Sequence, residues 1–116
     1  MADSLVSVVV PTFHRNDRLR AALESVQDQT YESVEIIVVD GSEAERNAEP
    51  VALEFGVKYV CPEEDRGAHA ARSLGAQRAS GEYINFLDDD DRFVSQKLEK
   101  QVQIVEDREE VGVVYS

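Results

Sequence analysis

Cysteine is nearly absent. Cys61 is the single thiol in 116 residues, which excludes an intrachain disulfide and favours the cytoplasm. It is expected as a small buried residue at a strand end, because no histidine lies near it in sequence to make it a nucleophile. Long apolar runs are missing as well: no stretch approaches the roughly 20 residues that a membrane span needs. Met1-Ala2-Asp3-Ser4 has no basic start and leads straight into strand-like sequence, unlike a secretory leader. Positive charge is scarce. Twelve bases face 24 acids, a net charge of −12, which disfavours a nucleic-acid partner because phosphate binding relies on a basic face. Lys58, Lys97 and Lys100 are the only lysines, while acids such as Glu43, Glu45, Glu49, Glu106, Asp107, Glu109 and Glu110 fall where surface is expected. One-sided charge maintains solubility at the cost of self-repulsion that salt would screen, which suits a halophilic source.

What is present is a soluble globular composition, 42% hydrophobic and 31% charged, at a length for one domain. That length is small for an enzyme holding two substrates. Leu5 to Val10, closed by Pro11, is a β-branched run that predicts a first strand buried on both faces. Asn16 or Asp17 can cap a helix whose Leu19, Ala22, Leu23 and Val26 share one stripe. Val34 to Val39 predicts a second strand ending at Asp40-Gly41-Ser42. Val51 to Phe55 predicts a short helix stopped by Gly56, and Val57 to Val60 a third strand. Ala68 to Ala79 is an alanine-rich helix, and Tyr83 to Leu87 a fourth strand. Ser95 can cap a further helix with Leu98, Val102 and Val105 on one face, and Val111 onward reads as a fifth strand that stops mid-architecture. Strands alternating with helices imply a mostly parallel sheet with helices on both faces, a three-layer α/β/α domain. Right-handed crossovers then bring the carboxyl ends of strands one, two and four to one edge.

Those ends carry the chemistry. Asp88-Asp89-Asp90-Asp91 closes a strongly apolar strand, and carboxylates packed this tightly repel one another unless a cation lies between them. A hard cation such as Mg²⁺ or Mn²⁺ takes oxygen ligands, one or two carboxylates plus substrate phosphates. Alternation projects Asp88 and Asp90 together. Asp40 either serves the Asp-Gly turn or accepts N–H and hydroxyl groups of a nucleoside. Arg15 and Arg72 suit phosphate, whereas Arg18, Arg20 and Arg78 read as surface ion pairs. His14 and His69 are too far apart in sequence to define a site, and Phe13 is either core or a stacking platform.

In order and spacing, Val-Ser-Val-Val-Val-Pro-Thr-Phe-His-Arg, Ser25 to Thr30, Glu35 to Ser42, Arg66-Gly67 with Ala71-Arg72, and Gly81 to Asp91 cover nearly the whole chain. They closely resemble the amino-terminal half of family 2 glycosyltransferases of GT-A fold. The resemblance implies a donor-binding domain over residues 1–116, part of a longer inverting enzyme. Pro11 to Arg15 would line the nucleotide pocket with Thr12 and Phe13 near the base. Asp40 would hold the base, typically uracil, and Arg72 would approach the nucleotide. Asp88-Asp89-Asp90 would be the family's D-x-D motif, with Asp88 and Asp89 reaching ribose or metal and Asp90 the direct ligand of Mg²⁺ or Mn²⁺. The implied partners are a nucleotide-diphosphate sugar, UDP-sugar first, and a carbohydrate or lipid-linked acceptor. No residue here is implied as the catalytic base, which the family places beyond strand five. The chain departs from the family where asparagine is often found and Asp65 and Ser73 stand, and where Phe13-His14 replaces tyrosine-asparagine. Two rival readings are a Mg²⁺-dependent aspartyl phosphatase, which usually places D-x-D-x-T after its first strand, and a non-catalytic nucleotide-binding module.

Overall fold

The computed structural model describes residues 4–89, 98–100, 102–103 and 113–115. β1 (Val6–Thr12), β2 (Val34–Asp40), β3 (Lys58–Val60), β4 (Tyr83–Phe86) and β5 (Val113–Tyr115) form one sheet in the order β3-β2-β1-β4-β5, and every pairing is parallel. Three helices are bounded, α1 (Asn16–Gln27), α2 (Glu49–Phe55) and α3 (Ala68–Arg78), and residues 98–100 and 102–103 are also helical.

Side-chain alternation sorts the valine-rich strands onto two cores. Val6, Val8 and Val10 of β1 and Ile36 and Val38 of β2 pack with Leu19, Ala22, Leu23 and Val26 of α1, Val51 of α2, and Leu98 and Val102. Val9, Ile37 and Val39 point the other way, onto Ala71 and Leu74 of α3. Helices thus cover both faces, and each fully buried valine, leucine or isoleucine contributes about 1.5–3 kcal/mol relative to exposure. α3 lies unusually close to the sheet: a Cβ at Gly75 would stand 2.3 Å from Val9 Cγ1.

Strand order reverses direction between β1 and β4, the switch point at which open α/β sheets keep their ligands. Pro11 opens that point. β1 does not end at Pro11 as its sequence suggests but continues through Thr12, with Pro11 opposite Val39 and Thr12 opposite Asp40 of β2. On the other side the β4 register stops at Val9 opposite Phe86, and Leu87 N donates to Val9 O at 3.0 Å. Residues 9 and 11 face the same neighbour, so the missing N–H of Pro11 falls where β4 has already left.

Two further expectations change. Neither Asn16 nor Asp17 caps α1: the N-cap is Arg15, with no side-chain cap bond. Asn16 instead uses its Nδ2 to donate to Asn47 O at 3.0 Å, joining α1 to the loop before α2. Cys61 is half-buried rather than enclosed, its thiol 3.2 Å from Glu43 O. Ser95 and Val105 lie outside the described residues. Among the described residues, no helix is long and apolar enough to cross a membrane.

Candidate active site

Every loop that follows a strand opens on one edge of a parallel sheet, and the ends of β1, β2 and β4 meet there with the first turn of α3 around a cavity of about 400 Å³. Pro11, Thr12, Phe13 and Arg15 line it from β1, and Asp88 and Asp89 from beyond β4. Arg72 reaches it from one turn inside α3. Seven of the eight residues nominated from sequence for nucleotide-sugar binding therefore share one wall, the exception being Asp40.

The two acids differ in environment. Asp89 is turned inward and buried, where it accepts the Thr12 hydroxyl at 2.9 Å and lies 3.5 Å from Arg15 Nη1. That bond ties the end of β1 to the turn after β4 across the gap below Pro11. Asp88 projects outward, half-exposed, and accepts from Arg72 Nη2 at 2.9 Å. A guanidinium thus stands beside each carboxylate, and both face the same space. Asp90, the expected direct metal ligand, lies outside the described residues. Among the described residues, no group of three or more histidine, cysteine or acidic side chains could hold a metal by itself.

Asp40 sits behind the wall rather than in it. It shares the face of Ile36 and Val38, so its side chain enters the core with α1 and α2. There it is fully buried; Oδ1 accepts Ser42 N at 2.8 Å, and Oδ2 accepts Ala48 N at 2.8 Å and the Tyr59 hydroxyl at 2.6 Å. Burial works to raise its pKa, but these donors, Tyr59 foremost, outweigh it and hold the carboxyl below its ordinary range. The same contact, together with burial, pushes the Tyr59 phenol far up. At the end of β2 the residue that does face the cavity is Gly41.

Phe13 is 55% exposed, its ring edge-on to His14 with centroids 4.5 Å apart. His14 holds a left-handed backbone, φ 53°, and pairs with Glu45 at 3.4 Å. Arg20 pairs with Asp17 and Glu54 on the surface.

Several lining residues were not nominated from sequence: Gly41, Asp65, Gly67, Ala68 and Ala71. A usable signal existed, because the loop between β3 and α3 must open on the same edge as the other strand-to-helix loops, and Ala68 and Ala71 share the helix face of Arg72. Gly67 occupies φ 95°, a conformation that a side chain would strain, and this turns the chain into α3 beside the cavity.

A doubly wound parallel sheet with acids and arginines meeting across its switch point is a GT-A-type architecture. The chain belongs to glycosyl transferase family 2, whose family model matches residues 7–116. It is 34% identical over 111 residues to a glycosyltransferase of Haemophilus influenzae, covering 96% of this chain and 38% of that protein. It is 35% identical over 108 residues to UDP-Glc:alpha-D-GlcNAc-diphosphoundecaprenol beta-1,3-glucosyltransferase WfgD of Escherichia coli, covering 90% of this chain and 42% of that one. The structure of S. aureus TarS 1-349 in complex with UDP superposes with TM-score 0.78 at 22% identity, over 90% of this chain and 33% of that one, which shows the shared fold. The chain thus spans about two fifths of the length of these curated relatives.

Proposed function

We propose that this chain is the donor-binding part of an inverting glycosyltransferase that moves a sugar from a nucleotide-diphosphate sugar, UDP-sugar first, to an acceptor hydroxyl. The observation that carries this reading is the pairing of Arg72 with Asp88 and Arg15 with Asp89 in one cavity at the switch point of the sheet. The family, WfgD as a UDP-Glc-dependent relative, and TarS as a UDP-binding neighbour support it. The acids follow the fourth strand, not the first, which leaves the aspartyl-phosphatase reading without support.

In the transfer, an acceptor oxygen forms a bond to the anomeric carbon while the bond from that carbon to the diphosphate oxygen breaks. The nucleoside diphosphate leaves with the electron pair. Arg72 and Arg15 stand where guanidinium can make bidentate bonds to the diphosphate and stabilise that charge. Thr12, by holding Asp89 inward, fixes the turn that presents Asp88. Phe13, exposed at the rim, offers a face on which a base can stack. The acceptor proton passes to a carboxylate base assigned to sequence following Ser116, so the 116-residue chain is expected to bind donor without turning over.

The donor set fits Mg²⁺ or Mn²⁺: the oxygens belong to a half-exposed carboxylate, Asp88, next to open space for substrate phosphates. Asp88 and Asp90 would hold the ion, which when bound offsets charge on the leaving diphosphate. A carbohydrate or lipid-linked acceptor would be met in the cytoplasm or at the cytoplasmic membrane face.

Isothermal titration with UDP and Mn²⁺ tests the assignment. Binding by the native chain should weaken at least about tenfold in Asp88→Ala and in Asp90→Ala, the scale of losing one charge-assisted contact. No binding by the native chain, or unchanged binding in both variants, would remove it.

A further inference from the structure

The cavity has two chemically different ends. Its β4 end carries both arginines and both described aspartates; its β2 end, two strand spacings or roughly 10 Å away, carries a different carboxylate, Asp65, above the bare backbone of Gly41. Asp65 Oδ1 accepts Gly67 N at 3.0 Å, and its own N donates to Glu43 Oε2 at 2.9 Å, so the side chain is held in place. Oδ2 is aimed at the floor: a Cβ on Gly41 would stand 3.1 Å from it. A second cavity of about 610 Å³ continues past this point and shares Gly41, Asp65 and Ala71 with the first. With the diphosphate at the arginines, the base of the same nucleotide falls between Asp65 and Gly41. Asp40 offers it nothing, because its oxygens are committed to Ser42, Ala48 and Tyr59 inside the core.

We infer that Asp65 is the residue that selects the nucleobase, admitting bases whose ring edge carries an N–H and excluding those that present a bare ring nitrogen. The inference rests on the donor-binding reading above and sharpens its substrate class. An ionised carboxylate only accepts. Uracil offers its N3–H, and guanine offers N1–H with an adjacent amino group that a carboxylate can receive in pairs. Cytosine and adenine turn a ring nitrogen lone pair toward the same position, so two acceptors meet. Asparagine, which can donate as well as accept, would serve either kind of base; the aspartate makes the choice strict. Gly41 leaves the floor open to a flat ring lying against backbone.

The experiment is a set of titrations with UDP, GDP, CDP and ADP at fixed Mn²⁺, on the native chain and on Asp65→Asn and Asp65→Ala, with circular dichroism to confirm folding. UDP and CDP share ribose and diphosphate, so their ratio isolates the base. Native protein should prefer UDP over CDP, and GDP over ADP, by about tenfold to a hundredfold, the scale of a hydrogen bond to a charged group. Asp65→Asn should bring each ratio to within about threefold by gaining CDP and ADP rather than by losing all binding, a change that a merely structural role for Asp65 would not produce. If native protein binds the four alike, or if folded Asp65→Asn and Asp65→Ala keep the native ratios, the inference is overturned while the donor-site reading stands. If no nucleotide binds the native chain, both are overturned.

Discussion

Asp40 is a carboxylate with three donors and no solvent, and its replacement by asparagine should destabilise the fold by about 1–3 kcal/mol, the cost of leaving a buried donor unpaired. The amide nitrogen that Asp40→Asn introduces would have to face either Ser42 N or the pair from Ala48 and Tyr59, so at least one donor loses its acceptor. The pH dependence has a definite sign. Because the folded state holds the Asp40 carboxyl below its ordinary value, its stabilisation is full above the unfolded pKa and is lost as pH falls through the folded one. Urea denaturation of native and Asp40→Asn proteins should therefore show a gap at pH 7 that narrows below about pH 4; a gap constant from pH 7 to pH 3 would contradict this. The sequence placed Asp40 at the correct strand end but not on the correct face. Parity with Ile36 and Val38 was available to settle that, whereas the Tyr59 hydroxyl that completes the buried network comes from another strand and has no local signature. Asn16 illustrates the same limit: its type fits a cap, but a partner 31 positions away in sequence claims it.

At the scale of elements, α3 connects packing to the site. Its alanine-rich sequence made the helix readable, and the reason for small residues became visible only in three dimensions, where Gly75 rests against Val9 and the first turn carries Ala68, Ala71 and Arg72 to the cavity. Gly75→Ala should gain up to about 1 kcal/mol in helix propensity. Yet its Cβ would lie 2.3 Å from Val9 Cγ1, well inside contact distance. Overpacking of this kind costs about 1–3 kcal/mol, so net destabilisation is expected, and relief by tilting α3 would displace Arg72. Melting temperature and UDP affinity should fall together in Gly75→Ala, and a companion Val9→Ala substitution should recover affinity more than stability by making room for the methyl group. A Gly75→Ala protein as stable as native with full UDP affinity would show that α3 does not set the position of Arg72. The strands were readable because valine and isoleucine runs buried on both faces allow few alternatives. The order β3-β2-β1-β4-β5 followed from the crossover rule only as far as a shared edge, and the role of Pro11 in opening the switch point depends on which neighbour each residue faces.

For the whole molecule the dominant physical quantity is a net charge of −12 on 116 residues. Ion pairs such as Arg46 with Glu49, Arg20 with Glu54 and Arg66 with Glu64 lie on the surface, where each is worth about 0–1 kcal/mol. Even complete pairing of the 12 bases would leave half of the 24 acids unmatched. Two opposing terms then depend on salt. Screening weakens the surface pairs, which lowers stability, and it weakens repulsion among the excess carboxylates, which raises stability. The screening length falls from about 10 Å at 0.1 M to about 3 Å at 1 M, so repulsion across the surface is largely removed while close pairs keep part of their attraction. Repulsion should therefore decide the sign. The melting temperature should rise by several degrees between about 50 mM and 1 M KCl, and the rise should shrink near pH 4.4, where the sequence carries no net charge. KCl is the appropriate salt, because sulfate would also strengthen apolar burial and confuse the two causes. A flat or falling melting curve at pH 7 would mean that the surface pairs outweigh the excess acid and would remove the argument for a high-salt source. The same excess charge repels a free nucleoside diphosphate at long range, so its entry at low salt depends on the local field of Arg15 and Arg72 at the mouth of the cavity.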